Sequence, residues 1–381
     1  MRGDVMTEAT VDLGAIAHNT RVFAATTNAE VMAVVKADGF GHGALATARA
    51  ALTAGATWLG VATCEEALQL RAAGVDAPLL SWLHAHDAGL REAIAAQVDL
   101  SVSSLEHLHA VLADGLVPTL HLKADTGLHR NGAVAEDWPA LVRRAAELER
   151  QGRVRVRGVW SHLIHGEDST APGLSAQVAR FRDALAVATG AGLRPSVRHL
   201  ANSVAALGAP ETHYDLVRPG IGLYGIEPDV NRTYGLRPAM TLRARLVLVK
   251  QVPAGSGVSY EHDYRTSCPS TLGLVPLGFA DGVPRSAGPR AQVWCRGRRF
   301  PVAGRIVMDQ FVVDFGEFSP RPGDEVLVFG PGGQGEPTVT EWAEWAGTIP
   351  HEIFTGIGAR VPRRHVGLPV PATSTEELRS G

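Results

Sequence analysis

Apolar runs alternate with alanine-rich stretches over most of the first two thirds of the chain, and this alternation limits the possible folds most strongly. Strands that alternate with helices of this length predict βαβ units and a parallel sheet. Eight strands fit a (β/α)8 TIM-like barrel, whose sheet closes on itself. The predicted strands are 31–36, 57–63, 78–83, 98–102, 117–123, 154–162, 196–200 and 214–218. The predicted helices are 42–54, 64–73, 87–96, 104–113, 135–151, 172–190 and 202–208.

A doubly wound open sheet would alternate in the same way. That fold usually carries a G-x-G-x-x-G fingerprint after its first strand. The glycine-rich segment GFGHG at 39–43 does not match this fingerprint. The barrel is therefore the favoured α/β architecture.

The pattern changes near residue 235, where short strand-like runs separated by turn residues begin. Runs of this spacing predict a mainly β domain. We therefore expect a barrel domain at 8–234, a β domain at 235–369 and a polar, disordered tail at 370–381. The strand-like runs are 241–252, 271–278, 291–304, 310–315 and 324–330.

Charge and cysteine content exclude several classes of protein. The formal net charge is −3, which gives no reason to expect nucleic acid or an anionic membrane as a partner. The three cysteines are far apart and lack the spacing of a metal site or a disulfide framework. The amino terminus has no apolar signal region, and no apolar run approaches the ~18 residues of a membrane span. We expect a cytoplasmic protein without a metal.

Lys36 is the first candidate catalytic residue. It ends the run VMAVVK and is followed by the turn sequence ADGFGHG. A lysine that is partly desolvated at a strand end has a lowered pKa and can act as a nucleophile in Schiff-base chemistry. The structural alternative is a lysine whose stem is buried while its amine reaches water.

Polar residues also follow several later strands. The active site of a barrel lies at the carboxyl ends of its strands, and the loops after strands seven and eight often bind phosphate. Each residue alone has a structural explanation: Ser203 as a helix N-cap, Arg218 as an ion-pair partner, His199 as a core histidine. Together they predict one site at one end of the barrel. The residues are Lys123, Asp125, Arg130, His162, His199, Asn202, Ser203, Arg218, Gly220 and Ile221.

Eight segments in order along the chain resemble those of alanine racemases, which are fold-type III enzymes dependent on pyridoxal 5′-phosphate (PLP). The resemblance covers about residues 8 to 366. It implies an amino-terminal barrel, a carboxyl-terminal β domain and a head-to-tail homodimer whose active sites take residues from both chains. The segments are VVKADGFGHG, KADTGLHRNG, the SH of GVWSHL, HLANS, YDLVRPGIGLYG, GVSYEHDY, GFADGVPR and VMDQ.

The resemblance assigns a role to each matching residue. Lys36 is similar to the lysine that binds PLP as a Schiff base, and Tyr260 to the second catalytic base, donated by the partner chain. Arg218 is similar to the arginine that faces the pyridine nitrogen. The other implied roles are cofactor binding for Phe40, His162, Asn202, Ser203, Gly220 and Ile221, substrate binding for Arg130, Met308 and Asp309, and supporting or entrance positions for Lys123, Glu167, His199, Glu261, Tyr264 and His351. Relatives often carry a carbamylated lysine at the position of Lys123.

The chemistry of racemisation agrees with these roles. Two bases on opposite faces must remove the α-proton and return it, and Lys36 with Tyr260 are the candidates. Arginine cannot give its proton to a pyridine nitrogen, so Arg218 should leave that nitrogen largely neutral. A carboxylate at this position would instead favour a decarboxylase, so Arg218 discriminates a racemase from a decarboxylase. The resemblance implies that the reaction is the interconversion of L- and D-alanine.

Several positions depart from the family pattern. Phe40, Phe279 and His351 stand where tyrosines are usual, Glu261 replaces a glycine, and Glu167 replaces an aspartate. An altered or broader substrate range is therefore an alternative. A PLP-binding barrel without racemase activity and a PLP-free, aldolase-like Schiff-base barrel are the other two.

Overall fold

The computed structural model describes residues 5–85, 89–112 and 115–367, and every statement below concerns these ranges. The predicted disordered tail at 370–381 lies outside them. The chain begins with strand β1 (Thr7–Asp12) and helix α1 (Leu13–Thr26). Asp12 caps the helix, because its carboxylate accepts hydrogen bonds from the backbone N–H groups of Gly14 and Ala15.

Eight parallel strands then form a nearly closed barrel, which confirms the predicted TIM-like fold. Their order in the sheet is β8-β7-β6-β5-β4-β3-β2-β9. The two edge strands meet through backbone hydrogen bonds from Asp215 N to Arg198 O and from Arg218 N to Ala201 O, both 3.0 Å long. The strands are β2 (Glu30–Val34), β3 (Trp58–Val61), β4 (Leu79–Ser81), β5 (Asp99–Val102), β6 (Thr119–Lys123), β7 (Arg155–Trp160), β8 (Val197–His199) and β9 (Leu216–Val217).

Helices follow the barrel strands as predicted, although most begin and end a few residues inside the predicted stretches. The predicted stretches 87–96 and 104–113 extend partly outside the described residues. No helix within the described ranges is long and apolar enough to cross a membrane. The helices are α3 (Ala44–Thr53), α4 (Cys64–Ala72), α5 (Leu90–Ala95), α6 (Leu105–Ala110), α7 (Trp138–Arg150), α8 (Leu174–Gly190) and α9 (Ser203–Gly208). The segment α2 (Lys36–Phe40), for which no helix was predicted, is a short turn with left-handed backbone angles.

The barrel interior separates into an apolar part and a polar part. Met32, Trp58, Leu80, Val197 and Leu216 form a buried cluster of their own, distinct from the large core that the helices and the second domain share. Inward side chains of β5, β6, β7 and β8 add carboxylate, imidazole and indole groups. The barrel is thus filled by side chains, as expected for a closed barrel of eight strands.

The second domain is mainly β, as predicted, with two helices that the sequence did not reveal. A six-stranded sheet has the order β16-β15-β18-β10-β1-β19, and β11-β14-β17 and β12-β13 form smaller sheets. The elements are β10 (Met240–Arg245), β11 (Leu248–Val252), β12 (Gly257–Val258), β13 (Tyr264–Arg265), β14 (Ser270–Val275), β15 (Gln292–Cys295), β16 (Arg298–Pro301), β17 (Phe311–Asp314), β18 (Glu325–Phe329), α10 (Val339–Ala346), α11 (Pro350–Gly356) and β19 (Arg363–Val366). The run 241–252, which looked like one strand, is two strands in different sheets.

Strand β1 joins the two domains. It pairs antiparallel with β10 and parallel with β19, so it belongs to the sheet of the second domain. The buried Glu8 carboxylate accepts hydrogen bonds from Arg243 (2.5 Å) and Arg364 (2.8 Å). The domain limit predicted at residue 8 therefore assigns to the barrel a strand whose partners lie in the second domain.

Candidate active site

Lys36 lies at the carboxyl end of β2, on the first residue of a strained turn. Residues 37–40 all have left-handed backbone angles, with φ between 52° and 61°. Only one of these four residues is a glycine, so the surrounding contacts must hold this conformation. Glu66 accepts a hydrogen bond from Ala37 N (2.7 Å), and Asp38 accepts one from Ala44 N (2.8 Å). The turn fixes the backbone beside the lysine.

The second domain supports this turn from behind. Arg363 donates a hydrogen bond from Nε to the carbonyl of Gly41 (3.0 Å), and the ring of His365 lies 2.7 Å from the carbonyl oxygen of His42. A Cβ atom at Gly41 would overlap the carbonyl oxygen of Phe354, and φ there is 78°. Glycine is therefore required at this position.

Cationic groups converge at the mouth of the barrel. Only three lysines occur in the chain, and two of them, Lys36 and Lys123, lie here. Burial lowers the pKa of Lys36, and the charge of Arg130 lowers it further. Burial lowers the pKa of Lys123 to about 7, with further contributions from Arg218 and Arg130. These cations repel one another in a partly dehydrated space.

Arg218 is buried among neutral groups. One of its terminal nitrogens lies 3.2 Å from His199 Nδ1, and the other donates to the carbonyls of Ser161 (2.7 Å) and Leu200 (3.1 Å). No ion pair with a carboxylate is found for it in the described ranges. Burial lowers its pKa to about 9. The prediction that left open an ion pair for Arg218 is not supported, and the guanidinium stays protonated at neutral pH.

Two histidines complete this part of the site. Burial lowers the pKa of both His162 and His199 well below the usual value, and the charge of Arg218 adds to the effect. His199 stacks on Trp160 with ring centroids 5.4 Å apart. Both imidazoles are therefore neutral near pH 7, and both lie beside Arg218.

The loops after β8 and β9 meet at a serine hydroxyl. Ser203 Oγ accepts hydrogen bonds from Gly220 N (2.8 Å) and Gly222 N (3.4 Å). The residue before it, Asn202, caps α9 by accepting from Ala205 N and donates to the carbonyl of His165. The N-cap role considered for Ser203 thus belongs to Asn202. The hydroxyl hydrogen of Ser203 has no acceptor among the described residues.

Phe40 and His351 lie together at the edge of the mouth. Their ring centroids are 5.8 Å apart, and Phe40 also packs on Tyr224 at 4.7 Å. Burial lowers the pKa of His351, as does Lys36, whereas Glu167 opposes the shift. Two of the departures from the family pattern are therefore in contact, and a third, Glu167, is close enough to act on His351 electrostatically.

A second group of predicted residues lies on the surface of the β domain. Tyr260 is 67% exposed, Met308 55% and Phe279 43%. Asp309 forms an ion pair with Arg360 at 2.7 Å. No hydrogen bond or ring contact of the described residues joins any of these four to the barrel mouth of the same chain. They form a surface that we call the tyrosine face.

The backbone around Tyr260 is strained. Ser259, Glu261 and His262 have φ values of 63°, 59° and 52°. The hydroxyl of Ser259 donates to the carbonyl of Arg305 (3.1 Å), which anchors the loop. Tyr264 is less exposed than Tyr260. The Tyr264 hydroxyl donates a hydrogen bond to Asp314 Oδ2 (2.7 Å). The predicted entrance position of Tyr264 is thus tied into the β domain.

Comparison with known proteins places this geometry in a family. The N-terminal domain of alanine racemase matches residues 11–228, and its C-terminal domain matches residues 239–365. The chain is 52% identical to an alanine racemase of Frankia casuarinae, over 95% of this chain and 97% of the relative. The solved alanine racemase of Streptomyces coelicolor A3(2) is 50% identical, with a TM-score of 0.93 over 95% of this chain and 98% of that one. The structure of alanine racemase from D-cycloserine producing Streptomyces lavendulae superposes with a TM-score of 0.94 at 47% identity, over 97% and 99% of the two chains.

The chain belongs to the alanine racemase family. The predicted isomerase class and the predicted interconversion of L- and D-alanine are confirmed by these relatives. The individual roles assigned to the site residues stay predictions.

Within the alanine racemase fold, the barrel mouth brings together most of the predicted site and leaves a smaller set on the tyrosine face. Lys36, Phe40, Lys123, Arg130, His162, Glu167, His199, Asn202, Ser203, Arg218, Gly220, Ile221 and His351 belong to the barrel ends or pack against them. Glu261, Tyr264, Met308 and Asp309 lie in the β domain with Tyr260.

Several side chains beneath the mouth belong to none of the predicted motifs. Trp160 lies 4.3 Å from Lys123 Nζ and 4.9 Å from the Arg218 guanidinium carbon, measured to its ring centroid. His121 is hydrogen-bonded to His199 through one ring nitrogen and to Asp99 through the other. Trp160, Asp99 and His121 occupy inward positions of barrel strands, and alternation along each strand could have indicated them.

Proposed function

We propose that this alanine racemase family member acts with PLP bound covalently to Lys36, and that it works as a cytoplasmic homodimer. Lys36 is one of two catalytic bases, and Tyr260 of a second copy of the chain is the other. Arg218, Ser203 and Gly220 hold the cofactor, and Arg130 with Met308 and Asp309 of the second copy bind the substrate carboxylate.

The observation that carries this proposal is the group of buried cations at the barrel mouth. Lys36, Lys123 and Arg218 all have lowered pKa values, with burial as the main cause in each case. Buried charges without partners are costly, and an anionic ligand relieves that cost. PLP brings a phosphate, a phenolic oxygen and the carboxylate of the bound amino acid to such a site.

The residues present fit PLP in detail. Lys36 supplies an amine whose lowered pKa makes the reactive neutral form more abundant. Ser203 can donate its free hydroxyl hydrogen to a phosphate oxygen, beside the backbone at Gly220. Phe40 is the exception, because it offers no hydroxyl where relatives have one.

Each residue then has a defined task. PLP, when bound, withdraws electrons and so acidifies the α-proton of alanine. Lys36 removes or returns this proton on one face of the substrate. Arg218, with a pKa of about 9, donates hydrogen bonds without losing a proton near neutral pH. Neutral His162 lies with its Nδ1 3.5 Å from a terminal nitrogen of Arg218 and can accept a hydrogen bond.

The tyrosine face explains why a second chain is needed. Large apolar and aromatic side chains that are exposed together indicate an interaction surface. The strained loop around Tyr260 leaves its side chain exposed on the surface of its own domain. In a symmetric dimer each barrel mouth receives the tyrosine face of the other copy.

Complementation between two inactive variants tests this proposal. Lys36→Ala and Tyr260→Phe homodimers each lack one base at both sites. Random pairing of the two chains makes hybrids in which one site has both bases intact, so about a quarter of all sites become active. The control mixes Lys36→Ala with the Lys36→Ala/Tyr260→Phe double variant, which cannot form an intact site. A mixture that stays inactive while native mass spectrometry shows hybrid dimers would contradict the shared site.

The contact between Phe40 and His351 favours a broader substrate range as a second candidate. Both positions lack the hydroxyl that relatives carry, and Glu167 adds a carboxylate near them. Turnover of L-serine and of basic amino acids should be compared with that of L-alanine. A strong preference for L-alanine would exclude this candidate.

A further inference from the structure

A line of buried hydrogen bonds runs through the barrel interior from Arg218 to a carboxylate. His199 Nδ1 lies 3.2 Å from Arg218, and His199 Nε2 lies 2.8 Å from His121 Nδ1. His121 Nε2 lies 3.0 Å from Asp99 Oδ2, which also accepts from Arg157 at 2.8 Å. Asp99, His121, His199 and Arg218 are all at least nine-tenths buried.

The two ends of this line dictate where every proton lies. A guanidinium can only donate, so His199 Nδ1 must be the acceptor for Arg218. His199 then carries its hydrogen on Nε2 and donates to His121 Nδ1. His121 in turn carries its hydrogen on Nε2 and donates to Asp99, which as a carboxylate can only accept. The donor at one end and the acceptor at the other therefore require the same tautomers of His121 and His199.

The packing also favours this line. A Cβ atom at Gly158 would overlap the ring of His121, so the strand beside it leaves room for the imidazole. Trp160 stacks on His199 with an angle of 5° between the ring planes. Both rings are therefore held in place by groups that take no part in the hydrogen bonds.

We propose that Asp99 and His121 are positioning residues that act through His199 to fix the orientation of Arg218. The role of Arg218 toward the cofactor rests on the function proposed above, whereas the direction of the hydrogen bonds does not. If the carboxylate is removed, His121 and His199 are free to adopt the other tautomer. Two N–H groups would then face each other between His199 and Arg218, and the guanidinium would lose one of its anchors.

Nuclear magnetic resonance of the cofactor-free protein labelled with ¹⁵N-histidine tests the direction of the line. We expect His121 and His199 of the wild-type chain each to carry hydrogen on Nε2 only, with assignments from single substitutions. Either ring with hydrogen on Nδ1 would overturn the proposal. This result does not depend on racemase activity, so it can fail while the proposed function holds.

Kinetics test whether the line acts through Arg218. We expect Asp99→Leu to lower kcat by about 10–100-fold with little change in KM, as is typical when a supporting hydrogen-bond partner is lost. Asp99→Asn keeps an oxygen that can accept from His121. This variant should therefore retain most of the activity, and His121 and His199 should each keep their hydrogen on Nε2. The matched control is Ser101→Ala. Ser101 lies two residues after Asp99 on the same inward face of β5, and its hydroxyl accepts a hydrogen bond from Trp160 Nε1.

A double-mutant cycle separates positioning from general destabilisation. In an Arg218→Lys background, we expect the effect of Asp99→Leu on kcat to shrink to less than about threefold, because the group it positions is gone. Equal losses in both backgrounds, or equal losses for Asp99→Leu and Ser101→Ala, would show a merely structural role. If Asp99→Leu does not fold, His121→Phe takes its place in the cycle, because it removes the acceptor of His199 Nε2 directly.

Discussion

The barrel mouth and the tyrosine face, which we propose to be complementary halves of one site, are built in opposite ways. At the mouth, cations are buried, their pKa values are shifted, and a hydrogen-bond line reaches into the barrel. On the tyrosine face, Tyr260, Phe279 and Met308 are exposed, and the backbone on both sides of Tyr260 is strained. A fixed electrostatic environment can thus be made within one chain, whereas Tyr260, the proposed second base, lies exposed on a surface that another chain can contact.

The largest expected effect comes from removing the nucleophile of the mouth. Lys36→Ala should lower racemase activity by at least about 10⁴-fold, because the cofactor attachment and one base are lost together. It should also abolish the visible absorbance of lysine-bound PLP. Lys250→Ala, at an exposed lysine of β11, is the matched control and should change neither measurement. Retention of the absorbance band in Lys36→Ala would assign the cofactor to another group.

The next effect concerns the tyrosine face. Tyr260→Phe should lower activity by about 10²–10⁴-fold, the usual contribution of a positioned general base. One substrate enantiomer should still exchange its α-proton with solvent deuterium, because Lys36 remains. Proton nuclear magnetic resonance in D₂O follows this exchange for L- and D-alanine separately. Tyr264→Phe serves as the control, since that hydroxyl is bonded to Asp314 within its own domain. Full activity of Tyr260→Phe in both directions would remove the tyrosine from the mechanism.

Lys123 offers a test of the buried charge at the mouth. With a pKa of about 7, its amine is protonated in acid and neutral above that pH. A neutral amine can react with CO₂, so a carbamate signal from ¹³C-bicarbonate should increase between about pH 6 and pH 8. The new anion would then face Arg130 and Arg218, whose charges lower the pKa of Lys123. Lys123→Gln should remove the signal and lower kcat/KM by about 10–100-fold. If Lys250→Gln removes the signal instead, the carbamate forms elsewhere.

Local patterns were enough to predict the barrel and most of its mouth. The eight strands and helices followed from alternation, and the ends of parallel strands necessarily meet at one face, so Lys36 and Arg218 could be placed together. Strand β1 could not be predicted, because its partners β10 and β19 lie far along the chain. The run 241–252 was predicted as one strand because it contains no glycine, proline, asparagine or aspartate to mark a turn between β10 and β11.

The roles of Asp99 and His121 were not predicted for a different reason. The predicted site residues lie mostly at or after the ends of the strands, whereas Asp99 and His121 lie within strands. A polar side chain within a strand can equally well point outward from the barrel. Only the closure of the barrel shows that their side chains meet. The contact proposed between Tyr260 and a second copy rests on the family resemblance alone, because residue spacing within one chain does not show which surface of another chain it meets.

The smallest expected effect is a change in PLP affinity when a tyrosine hydroxyl is introduced into one region or the other. Phe40, at the mouth, and Phe279, on the tyrosine face, both stand where the family resemblance implies a tyrosine. The end of the Phe40 ring approaches the backbone at Gly220, since a Cβ atom there would lie 3.3 Å from Phe40 Cζ. Phe40→Tyr should therefore add a hydrogen bond to the phosphate and tighten PLP binding by about tenfold, measured by reconstitution of the cofactor-free protein. Phe279→Tyr should leave PLP affinity unchanged, because its side chain lies on the other half of the site. Equal affinities for both variants would mean that the phosphate does not bind beside Phe40, and Ser203 with Gly220 would then need a different ligand.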